Sequence, residues 1–96
     1  MAAISVQTTV AAAGTEVVLA ISGNRSNGAL AIKALSTNTG IMYVGNAGDG
    51  TVSSSTGYPL SAGESVIFSY IGDLSTIMVD ASVNGETVAW VILGVM

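Results

Sequence analysis

Cysteine and histidine are both absent from this chain. Without cysteine there is no disulfide framework and no thiolate metal site. Small secreted domains often rely on such staples, so stability here must come from packing or from assembly. Without histidine the chain lacks the commonest general base and the commonest metal ligand. Charge is scarce as well. Only 8% of the residues are charged, against roughly a quarter in an average globular protein. Arg25 and Lys33 are the only cations, and the formal net charge is −4. Phosphate recognition needs clustered Lys and Arg, so nucleic acid is not expected as a partner. Docking on anionic lipid is disfavoured on the same ground. Proline occurs once, as Pro59.

Long apolar runs are missing too. The stretch from Val88 to Met96 is far shorter than the roughly 20 residues of a membrane span. The opening residues MAAISVQTTVAAAG lack the basic region and unbroken apolar core of a signal peptide. The expectation is a soluble chain, or one assembled from soluble pieces, with no membrane partner.

What is present is half hydrophobic and rich in Ser, Thr and Gly. Ninety-six residues make one domain near the lower limit for independent folding. A surface with so few charges is poorly defended against association. We therefore expect much of it to be covered, by copies of the chain or by a larger partner.

The residue pattern alternates along most of the chain. Ile4, Val6, Thr8 and Val10 share one face, the period of a half-buried strand. Residues 1–14 are read either as a first strand or as an N-terminal arm. Thr15 to Ser22 predicts a second strand, with Val17, Leu19 and Ile21 on one side. Gly23 to Gly28 (GNRSNG) reads as a turn, since Gly and Asn accept positive φ at little cost. The Asn24-Arg25-Ser26 sequon within it is read as plain exposed loop. Further strands are expected over Ala29 to Ser36, Ile41 to Val44 and Ser65 to Tyr70, with a turn over Thr37 to Gly40. Thr76 to Val83 and Glu86 to Leu93 flank Asn84-Gly85, a strong hairpin signal. That reading pairs Val83 with Glu86 and Val79 with Trp90. It also puts Ile77, Val79 and Ala81 on one core face with Val88, Trp90 and Ile92. Short strands with frequent turn signals and no long helix predict an all-β domain: a small antiparallel β-sandwich or barrel, with a jelly-roll-like form among the candidates.

Candidate sites are few. The carboxylates Glu16, Asp49, Glu64, Asp73, Asp80 and Glu86 lack a base or ligand set around them. Most of them adjoin Gly or a strand boundary, where acids commonly keep loops soluble. A serine nucleophile would have to recruit Lys33. No catalytic, cofactor-binding or metal-binding residue is assigned, and the chain is not expected to be an enzyme. The Gly45 to Gly50 loop lacks the Lys of a phosphate loop and the clustered oxygens of a calcium loop. Ser61-Ala62-Gly63-Glu64 fits a helix capping box, but the strand character that follows makes it a turn into a strand. Tyr58-Pro59-Leu60 belongs on an edge or loop, because proline cannot donate to a ladder. Candidate interaction residues are Tyr43, Asp49, Tyr58, Pro59 and Leu60. Trp90 is read as core.

The runs Tyr43-Val44-Gly45, Val52 to Leu60 (VSSSTGYPL) and Ala62-Gly63-Glu64-Ser65-Val66 resemble small virion structural proteins of tailed bacteriophages. The later strands Thr76 to Ser82 and Thr87 to Leu93 look similar too. The resemblance implies a small β-domain on the virion, foremost a capsid decoration (cement) protein. Such a protein is made in the host cytoplasm and binds the major capsid protein on the head surface. A homo-oligomer, with a trimer favoured, suits the threefold points of an icosahedral shell. A tail or fibre accessory module that binds carbohydrate or a receptor is the alternative, with Tyr43, Asp49 and Tyr58 as its contacts. A self-assembling β-protein without a viral link is a third reading. No catalytic residues come with the resemblance.

Overall fold

The computed structural model describes residues 4–20, 25–46 and 52–92. Eight strands run through them: β1 (Ile4–Val10), β2 (Val17–Val18), β3 (Arg25–Ala34), β4 (Met42–Asn46), β5 (Tyr58–Leu60), β6 (Ser65–Asp73), β7 (Ile77–Ala81) and β8 (Glu86–Ile92). They form two four-stranded sheets, in the orders β1-β8-β3-β6 and β2-β7-β4-β5. Every pairing is antiparallel. Successive strands pass from one sheet to the other except at β4 and β5, which are neighbours both in sequence and in the sheet. Two sheets interleaved in this order make a jelly roll. The all-β sandwich expected from the alternation is the fold of the chain.

The core lies between the sheets, because alternation along each strand sends every second side chain inward. From the first sheet come Val10, Leu30, Ile32, Val88, Trp90 and Ile92; from the second come Met42, Val44, Leu60, Ile77, Val79 and Ala81. Leu19 and Leu74 close it from the connections. Burying each Leu or Ile side chain is worth about 1.5–3 kcal/mol, so this one layer supplies the main driving force. The inward set expected from Ile77, Val79, Ala81, Val88, Trp90 and Ile92 is buried throughout.

The Asn84-Gly85 hairpin is corrected. β7 and β8 belong to different sheets and do not pair. Val79 faces Val17 and Val44, and Trp90 faces Val6 and Ile32. Residues 82–85 instead bridge the two layers, and both layers hold their backbone. Ser82 N donates to the Ile41 carbonyl at 2.9 Å, and Gly85 N donates to the Val10 carbonyl at 2.8 Å. Gly85 has φ +82, the left-handed conformation that favours glycine. Asn84 Oδ1 accepts from Ala13 N at 2.8 Å, which fastens residues 11–14 to the same bridge.

Two further expectations change. The GNRSNG turn is extended strand from Arg25 onward, paired residue by residue with β6 from Arg25↔Asp73 through Lys33↔Ser65. A long ladder outweighs the local turn preference of Asn and Gly. Asn24 of the sequon lies outside the described residues, while Arg25 and Ser26 are in β3. Of the second expected strand, Val17–Val18 is strand and Leu19 and Ala20 are bends, while Ile21 and Ser22 lie outside the described residues. Residues 4–10 of the N-terminal segment form an ordered strand against β8.

Candidate interaction surface

Four of the residues singled out from the sequence, Tyr43, Tyr58, Pro59 and Leu60, meet at one edge of the second sheet. Tyr43 in β4 pairs with Pro59 in β5, Val44 pairs with Tyr58, and Met42 with Leu60. Among the described residues β5 pairs with β4 alone, so Pro59 stands on an edge strand, where its missing N–H costs no ladder bond. Tyr58 is 60% exposed, Pro59 is exposed, and Tyr43 is half-buried. Leu60 is different: at 2% exposure it is a core residue. Its pairing with Met42 turns it inward, which removes it from the contact surface. Asp49 lies outside the described residues.

The loop leading into this edge is tightly self-bonded. Thr56 N and Gly57 N both donate to the Ser53 carbonyl, at 3.2 and 2.8 Å. Ser53 N donates to Thr56 Oγ1 at 3.0 Å, and Ser55 N to Ser53 Oγ at 3.2 Å. Val52 is buried against Gly45, and Gly57 packs on Tyr43 so closely that a Cβ at Gly57 would lie 2.5 Å from Tyr43 Cβ. This loop therefore covers the outer side of β4 and presents Tyr58 on a fixed support.

The carboxylates are not simply loop solubilisers, as their neighbours in sequence suggested. Each one in the described residues accepts a backbone N–H. Glu16 Oε2 accepts from Val52 N at 2.7 Å, and Glu64 Oε1 from Ser61 N at 2.7 Å. The capping-box pattern at Ser61–Glu64 thus makes its backbone bond in a tight turn rather than in a helix. Asp73 Oδ1 accepts from Ser75 N at 2.9 Å and starts a single 3-10 turn, Leu74–Thr76. Asp80 Oδ1 accepts from Gly14 N at 3.0 Å and Ala81 N at 2.8 Å. Glu86 Oε1 accepts from Thr39 N at 2.7 Å and also from Gly40 N. Asp80 and Glu86 are buried. A buried carboxylate is tolerable only when it is hydrogen-bonded, and here backbone amides bond Asp80 Oδ1 and Glu86 Oε1. Among the described residues no three His, Cys, Asp or Glu side chains gather into a group able to hold a metal.

A second surface was visible in the sequence only as an isoleucine among serines. The outward residues of the first sheet are small or apolar near its centre: Ala29 and Ala31 from β3, Ala89 and Val91 from β8. Ile67 of β6 lies beside them and is 70% exposed. Ser65, Ser69, Gln7 and Thr9 border this face, and Lys33 stands beside Ser65 and Ala89 at one end of it. A shallow depression of about 300 Å³ runs between Ala31, Lys33, Ser65, Ile67, Ala89 and Val91. In the second sheet the 52–57 loop covers the outer side of β4, whereas no described segment covers this face.

No protein-family model matches the chain, and neither a curated protein nor a solved structure does.

Proposed function

We propose that this chain is a virion structural protein of a tailed bacteriophage. In this reading it is a decoration, or cement, protein without catalytic activity. It binds the major capsid protein on the surface of the mature head as a homo-oligomer. The observation that carries the reading is the Tyr43-Val44-Gly45, Thr56 to Leu60 and Ala62 to Val66 run, which resembles such proteins. Its residues fall in β4, the self-bonded loop, the edge strand β5 that pairs with β4, and the turn into β6.

Physical features support the same role. A decoration protein needs no chemistry; it needs a rigid body and uncharged surface that packs against neighbours. The bare, nearly uncharged face of the first sheet supplies such surface. Binding across junctions between capsid subunits would stabilise the shell by mass action, because the ligand favours the assembled state. Jelly rolls serve in capsid and lectin domains alike, so the fold by itself does not choose between them.

One observation favours the second reading, a tail or fibre module that binds carbohydrate or a receptor. Tyr58 is exposed next to Pro59 and Tyr43, and an exposed aromatic on a rigid support is suited to stacking on a sugar ring. Co-sedimentation separates the two. The purified protein is mixed with mature shells and with unexpanded precursor shells from the same source. Saturable binding to mature shells supports decoration. Binding to neither, with glycan binding that Tyr58→Ala abolishes, replaces it with the tail module.

A further inference from the structure

Among the described residues, the four sheet edges are not equally protected. In the second sheet the edges are β2, with two residues, and β5, with three residues that include Pro59. Short edge strands and proline are the usual means by which proteins prevent edge-to-edge pairing. In the first sheet the edges are β1, with seven residues, and β6, with nine. β6 carries no charge before Asp73 and no proline. Such an edge is a ready template for another strand.

The register identifies the backbone groups that face outward from β6. Ala34 N donates to the Glu64 carbonyl at 2.9 Å, and Gly63 N donates to the Ala34 carbonyl at 3.0 Å. On the other side of β3, Leu35 N donates to the Thr87 carbonyl at 3.2 Å, toward β8. Even-numbered residues of β3 therefore bond to β6 and odd-numbered ones to β8. Alternation along an antiparallel ladder then directs the N–H and C=O groups of Ser65, Ile67 and Ser69 to the free edge. The side chains of these same residues are exposed on the outer face, with Ile67 the most exposed large apolar residue among those described.

We propose that β6 pairs antiparallel with β6 of a second copy about a twofold axis through Ile67, joining the two first sheets into one. The proposal rests on the self-association in the function proposed above and assigns it to one edge. A twofold perpendicular to the sheet reverses strand direction, so β6 meets its own copy antiparallel, and the contact is self-complementary. Ile67 falls opposite Ile67 of the second copy, and Ser65 falls opposite Ser69. Directly opposed side chains stand about 5 Å apart at Cβ, so each isoleucine covers the other. Lys33 lies next to Ser65 and is thereby carried toward Ala29 of the second copy, not toward its Lys33, so no like-charge pair forms. A dimer replaces the trimer that shell symmetry suggested.

Sedimentation of the purified chain across micromolar concentrations tests this, with Ile67→Lys, Ser69→Lys and, on the opposite edge, Thr9→Lys. Circular dichroism checks that each variant keeps its β-fold. Each altered residue is exposed, so the monomer should tolerate the change. The wild type and Thr9→Lys are expected to be dimers. Ile67→Lys and Ser69→Lys should weaken the dimer by roughly a hundredfold or more, through charge forced into the contact. A monomeric wild type, a trimer, or an oligomer that Thr9→Lys breaks and Ile67→Lys spares would overturn the proposal. Shell co-sedimentation keeps the two readings apart. A monomer that still saturates mature shells removes the β6 pairing and leaves decoration standing. A β6 dimer that binds no shell does the reverse.

Discussion

Trp90 and Thr8 are joined across neighbouring strands: the indole Nε1 donates to Thr8 Oγ1 at 3.1 Å. The same hydroxyl donates to the Leu19 carbonyl at 2.6 Å. Thr8 belongs to the first sheet and Leu19 follows directly on β2 of the second. One hydroxyl thus satisfies a buried indole and fastens the two layers where they open between β1 and β2. Thr8→Val keeps the shape and removes both bonds. It should lower unfolding free energy by about 2 kcal/mol, mostly from the unpaired Trp90 N–H. Urea unfolding followed by the fluorescence of the single tryptophan measures this, and Thr8→Ser should recover most of the loss.

Glu86 begins β8 yet acts on a distant loop. Its buried carboxylate holds the backbone of Thr39 and Gly40, while Asn38 Oδ1 and Nδ2 bond the Thr87 backbone at 3.1 and 2.8 Å. Glu86→Ala strands those amides and should cost about 3 kcal/mol, in the range for hydrogen bonds to charged groups. Glu86→Gln keeps an acceptor oxygen and should cost about half as much. Chemical denaturation of both variants, with an unchanged denaturant slope, checks the order.

Tyr58 and Leu60 are separated by one residue and differ completely in environment. Leu60→Ala opens a cavity beside Met42 and should destabilise by about 2–4 kcal/mol. Tyr58→Ala removes an exposed ring and should change stability by less than about 0.5 kcal/mol. Thermal or urea unfolding reads both. A large stability loss in Tyr58→Ala would mean that the ring packs on the fold instead of serving a partner.

Gly57 lies against Tyr43 with no room for a methyl group. Gly57→Ala must displace the tyrosine or the loop and should cost about 1–3 kcal/mol, as overpacking generally does. Gly57→Ala combined with Tyr43→Ala should recover little of that loss, because the clash is with Tyr43 Cβ, an atom that alanine keeps. A double-mutant cycle in urea gives the coupling.

The sequence disclosed burial better than it disclosed partnership. Alternation in Ile4 to Val10 reports a strand whose bounds the fold reproduces, and the inward faces of β7 and β8 were legible residue by residue. Alternation states which side of a strand is apolar. It does not state whether two apolar sides lie next to each other in one sheet or oppose each other across a sandwich. Asn84-Gly85 therefore read as a hairpin turn, although the inward faces of β7 and β8 meet from opposite layers. The turn preference of Gly23 to Gly28 misled for a related reason: a local signal cannot register a ladder to β6 about forty residues away. At the candidate surface, proline chemistry correctly predicted an edge at Pro59. It carried no information about the neighbouring Leu60, whose inward direction follows from pairing with Met42. The role of the carboxylates as anchors was hidden, because each one bonds an amide chosen by folding.

The order β1-β8-β3-β6 has a consequence for biosynthesis. β8 lies between β1 and β3, so the first and third strands to leave the ribosome are not joined in one sheet until the eighth arrives. Before then β1 has no partner in its sheet, and β3 holds β6 alone. Translation cannot close this domain piece by piece. The first sheet is completed in one late step, when Trp90 enters between Val6 and Ile32, and a nascent chain halted before β8 exposes the inner faces of both layers to chaperones and proteases.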